Sequence, residues 1–84
     1  MAELATHEDL LVVLRAVPGL AEGGRTPGHF YLRGRPFLHF HGAGSERTAD
    51  LRRTGDWERF PAATPDDRVA LVAKVAAFLG ARRP

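Results

Sequence analysis

The stretch HFYLRGRPFLHFH, residues 29 to 41, decides how this chain folds. Runs of aromatic and aliphatic residues flank Arg33-Gly34-Arg35, and Pro36 opens the second run, where a missing N–H is tolerated. This pattern predicts a β-hairpin. Side chains alternate along a strand, so the number of residues in the turn decides which of them share a face. With an odd loop, Gly34 taking the left-handed position of a bulged three-residue turn, Phe30, Leu32, Leu38 and Phe40 fall together on a wholly apolar face. His29, Tyr31, Phe37, His39 and His41 then share the other face. A two-residue turn would mix Phe30 with His39 and His29 with Phe40, so the odd loop is expected.

Elements on either side follow from capping and periodicity. Thr6 followed by Asp9 is a capping box ahead of LLVVL, and it predicts a helix from His7 to Val17. Leu10, Leu11, Leu14 and Val17 make its apolar stripe, and Pro18-Gly19 stops it. GLAEGGRTPG, residues 19 to 28, reads as a loop. After the hairpin, RTADLRR alternates as a third strand, with Ala49 and Leu51 inward and Thr48, Asp50 and Arg52 outward. DWERF, residues 56 to 60, reads as a short fourth strand or an extended edge. Thr64, Pro65 and Asp67 open a second helix that runs to Leu79 and ends at Gly80. Its buried stripe is Leu71, Val72, Val75, Phe78 and Leu79, with Arg68 and Lys74 outside it, and the cations of the ARRP tail suit a helix C-terminus. The predicted architecture is an α+β two-layer sandwich: helix, three- or four-stranded antiparallel sheet, helix, in one domain spanning residues 1–84.

Size and composition agree with a single small domain. A chain of 84 residues buries only about 60–65% of the surface its unfolded form exposes. Cysteine is absent, so neither a disulfide nor a thiolate metal site can add stability, and a homodimer is the expected way to bury more apolar surface. No apolar run approaches the roughly 20 residues that span a bilayer, and the N-terminal stretch carries acids where a secretory signal carries positive charge. A cytoplasmic location without membrane attachment is expected. Net charge is only +2, but Arg25 to Arg59 holds seven arginines against four acids, whereas the first 24 residues hold four acids and one arginine. Eleven of the twelve basic residues are arginine, which a GC-rich coding sequence explains as readily as phosphate contacts do.

Three uses of the polar sheet face follow. The first is a contact surface made by His29, Tyr31, Phe37, His39 and His41 with Trp57, suited to self-association because aromatic rings left in water mark contacts. The second is a metal site: His39 and His41, two apart on a strand, point to one side, Glu46 could add a third ligand, and zinc or another divalent ion is the implied cofactor. His29, one strand over, is a further imidazole that could converge on it. The third is single-stranded nucleic acid, with bases stacked on Tyr31 and Phe37 and phosphates held by Arg33, Arg35, Arg52, Arg53 and Arg59. No catalytic residue is assigned. GAGSERT lacks the lysine and spacing of a phosphate loop, and Asp66 and Asp67 are explained by helix capping.

The order LRAVPGLAEG, PGHFYLRGRPFLHF, DWERF and a helix starting at TPDD resembles the small bacterial YjbR/MmcQ-like proteins. That resemblance implies an α+β fold and suggests nucleic-acid binding. The chain departs from the family in being shorter, in carrying Arg35-Pro36 in the strand and in its paired histidines. HFHG followed by ADLR is also similar to small bacterial proteins labelled luciferase-domain-like. The leading expectation is a non-enzymatic, self-associating binding module that works through its histidine- and aromatic-bearing sheet face.

Overall fold

The computed structural model of the chain describes residues 4–81. Along these run α1 (His7–Arg15), β1 (Leu20–Glu22), β2 (Phe30–Leu32), β3 (Arg35–His41), a 3-10 turn (Gly44–Glu46), β4 (Thr48–Leu51), β5 (Glu58–Pro61) and α2 (Pro65–Ala81). The strands form one antiparallel sheet in the order β1-β2-β3-β4-β5. Both helices lie on the same side of it: Leu10, Leu11 and Leu14 of α1 and Leu71 and Val75 of α2 share one buried cluster with Phe30, Leu38, Ala49 and Leu51. The α+β two-layer arrangement is as predicted, with one strand more than expected. β1 lies in the segment read as loop, where only three residues pair with β2 and no long apolar run announces them.

Both capping boxes form. Asp9 N–H donates to Thr6 Oγ1 while Thr6 N–H donates to Asp9 Oδ2, and Thr64 and Asp67 repeat the exchange. α1 stops at Arg15 rather than Val17, with Ala16 as its cap. α2 continues through Gly80 to Ala81, since a glycine in a last turn lowers helix stability without ending it. The Arg82-Arg83 tail lies outside the described residues. Among the described residues, no helix is long and apolar enough to cross a membrane.

The hairpin reaches the expected sidedness by a different route. Leu32 pairs with Arg35, so the turn has only Arg33 and Gly34, whose φ values of 55° and 79° are those of a type I′ turn. Tyr31 pairs with Pro36, but Phe30 pairs with Leu38. Phe37 is therefore an extra residue on β3, a bulge that puts two consecutive side chains, Phe37 and Leu38, into the core. Beyond it, Phe30, Leu38, Ala49 and Leu51 are buried and Phe40 packs against them, as the odd loop would also have achieved. The odd residue sits in the strand instead of the turn. Phe37 is thereby removed from the contact face: it is 2% exposed and stacks on Phe78 with ring centroids 5.8 Å apart.

Arg68 also departs from expectation. It is buried at 8% exposure, and its guanidinium donates to the carbonyls of Leu4, Ala5 and Ala63 at 3.0, 3.0 and 3.1 Å. Position 68 falls on the helical stripe with Leu71 and Val75, and unpaired carbonyls at the two helix entries supply the acceptors that let a cation lie there.

His7 carries a pH signature. Its ring stands edge-on to Phe40 at 4.8 Å, and its Nδ1 is buried without a hydrogen-bond partner among the described residues. Burial first, then Arg47 and Arg68, hold its pKa below the ordinary 6.5. Above that value the ring is neutral folded or unfolded; as pH falls through it, the unfolded chain takes a proton that the folded chain resists, so stability declines. His7→Phe keeps the ring contact and removes the proton site. The urea midpoint of this variant should fall less than that of wild type between about pH 7 and pH 5. Parallel declines would show that His7 contributes nothing to the pH dependence.

Candidate metal centre

The sheet face opposite the helices takes its pattern from the register. On β3, Leu38 and Phe40 point into the core, so His39 and His41 point out. The β3–β4 pairing sets His39 opposite Asp50, and the β4–β5 pairing sets Asp50 opposite Arg59. Imidazole, carboxylate and guanidinium thus form one row across adjacent strands, with His41 diagonal to Asp50. Continuing the β2–β3 register past Phe30 brings His29 beside His39, and their ring centroids lie 5.6 Å apart.

Asp50 is the centre of the row. Its Oδ2 lies 3.3 Å from His39 Nε2 and 3.0 Å from His41 Nε2. Arg59 Nε donates to Oδ1 at 2.8 Å and Nη2 to Oδ2 at 3.1 Å. The Arg59 guanidinium, reinforced by the two histidines, holds the Asp50 pKa down at about 2, so the carboxylate is ionised throughout the neutral range. Burial first, then the adjacent His41, pushes the His39 pKa below 6.5, leaving that imidazole neutral at neutral pH. An ionised carboxylate and a neutral imidazole are the protonation states that metal ligation requires.

One ligand atom from each of His39, His41 and Asp50 lies within 4.8 Å of the others. Tetrahedral zinc with bonds of 2.0–2.2 Å sets its ligand atoms about 3.3–3.5 Å apart, so the two imidazole–carboxylate separations need only small adjustment. Each ligating Nε2 would give up its contact with Oδ2 and carry its proton on Nδ1. Arg59 can stay on Oδ1 and orient the carboxylate, while its charge opposes the ion and moderates affinity.

Other expected residues separate clearly. Trp57 joins the face, 39% exposed, with its ring 4.6 Å from His39 and the Arg52 guanidinium 5.0 Å above it. Tyr31 stands half-buried on the same side, where a Cβ on Gly23 would meet its ring at 3.3 Å. Glu46 is not in the cluster; it ends the exposed 3-10 turn between β3 and β4, beyond the sheet. The residue missed as a ligand is Asp50, whose outward direction was legible but whose alignment with His39 depends on the six-residue connection between paired His41 and Thr48. Of the arginines considered for phosphate, Arg59 is held by Asp50 and Arg53 by Glu58, and Arg52 donates to the Pro36 carbonyl. Arg33 in the turn and Arg35 just after it form no ion pair among the described residues.

Compared with known proteins, the chain matches no family model, no curated protein and no solved structure.

Proposed function

We propose that this protein is a metal-binding interaction module whose uncovered sheet face takes up a divalent transition-metal ion, zinc by preference, through His39, His41 and Asp50. One observation carries the reading: donor atoms from two adjacent strands lie within 4.8 Å of one another, and two of the separations are 3.0 and 3.3 Å. Imidazole with a single carboxylate suits zinc and its neighbours better than calcium or magnesium, which prefer oxygen donors. Three protein ligands leave a fourth position for water or for a donor from another molecule. The exposed Trp57 beside His39 supports self-association through this same face.

Calorimetric zinc titration of wild type, Asp50→Asn and the His39→Ala, His41→Ala double variant tests this. Wild type should bind one ion with a Kd on the order of micromolar, and the double variant at least about 100-fold more weakly. Equal, negligible uptake by wild type and double variant removes the metal reading. Sizing with and without zinc tests the second part: the dimer fraction should rise with the ion, and monomer under both conditions at high concentration removes self-association.

A further inference from the structure

A different set of charges gathers at the hairpin end of the sheet. The type I′ turn presents Arg33 and Arg35 on either side of Gly34. Arg52 is brought beside them: its N–H donates to the Phe37 carbonyl at 2.9 Å, and its guanidinium donates to the Pro36 carbonyl at 3.0 Å and lies over Trp57. Arg53 follows, held by Glu58 at 2.8 and 2.9 Å. Arg33, Arg35, Arg52 and Arg53 line a cleft of about 540 Å³, walled in part by the stacked Phe37–Phe78 pair, and among the described residues no carboxylate side chain lines it.

Like charges brought together without a counter-ion repel, and only Arg53 among the four has a carboxylate partner among the described residues. A polyvalent anion would relieve that repulsion. A phosphate group suits the site because several acceptor oxygens can take N–H donors from separate arginine forks at once. The volume falls within the roughly 300–1,000 Å³ of small-molecule sites. Among the described residues, Arg59, the cation on β5 opposite Asp50, is paired with that carboxylate, so a phosphodiester strand leaving the cleft across the sheet meets a neutralised arginine there. We propose that this cleft binds the polyphosphate group of a small molecule, held by Arg33, Arg35 and Arg52.

The single tryptophan, under Arg52, supplies the readout. Zinc-free protein is titrated with ADP, inorganic pyrophosphate and an oligothymidylate while Trp57 emission is followed, with calorimetry in parallel. The perturbing variant is Arg33→Asn, Arg35→Gln: asparagine before glycine suits a type I′ turn, so folding is retained, and a thermal melt verifies it. Expected are saturable binding of ADP and of pyrophosphate, each with a Kd on the order of 0.1–1 mM, and at least about tenfold weakening of both in the folded double variant. The His39→Ala, His41→Ala variant should bind ADP as wild type does. Absence of saturation by about 10 mM ADP, or equal affinity in wild type and the arginine variant, would overturn the proposal. An oligothymidylate bound more tightly per phosphate than ADP, and lost in the same variant, would replace the small molecule with a nucleic-acid strand.

Discussion

Phe37→Ala should lower the unfolding free energy by about 3–5 kcal/mol, whereas Tyr31→Ala, on the uncovered face, should cost about 1 kcal/mol or less. The difference follows from burial. Phe37 is 2% exposed and stacked on Phe78 of α2, so truncation leaves a hole between sheet and helix that neither side can close. A domain of this length has roughly 4–12 kcal/mol in all, so the Phe37 variant should be visibly marginal in urea titrations. Equal losses for the two variants would return Phe37 to the polar face.

Arg68→Ala should cost about 2–4 kcal/mol. Its guanidinium satisfies the carbonyls of Leu4, Ala5 and Ala63, and alanine would leave acceptors at the entries to both helices unmatched. The loss should be uneven. Amide exchange at Thr6 and Asp9, whose capping box follows directly on the tethered Leu4–Ala5 segment, should quicken more than at Leu38 or Ala49 in the sheet. Arg68→Met retains the apolar stem and should recover part of the stability without restoring that protection. Unchanged exchange at Thr6 and Asp9 in both variants would mean that Arg68 does not anchor the segment.

These positions also show what the sequence made legible. Repeated Thr-x-x-Asp boxes located both helix starts, because capping is local chemistry. Alternation in RTADLRR placed Ala49 and Leu51 inward and Asp50 outward correctly. Arg68 reads as lying outside the stripe, although its spacing from Leu71 and Val75 puts it inside; the Leu4 and Ala5 acceptors that permit its burial lie far away in the chain. His39 and His41 could be put on one side from period alone. Asp50 could not be joined to them, since cross-strand alignment depends on how a connection closes rather than on any spacing within a strand.

The bulge at Phe37 has a consequence for how this hairpin can vary. An even turn joined to a bulged strand keeps Phe30 opposite Leu38, and that pairing is what turns His39 and His41 outward. Deleting Phe37 alone should therefore leave Tyr31 opposite Pro36 and Phe30 opposite Leu38 in a regular hairpin. Both imidazoles would go on facing Asp50, and the cost would fall on the core, in the loss of the ring that fills the space beside Phe78.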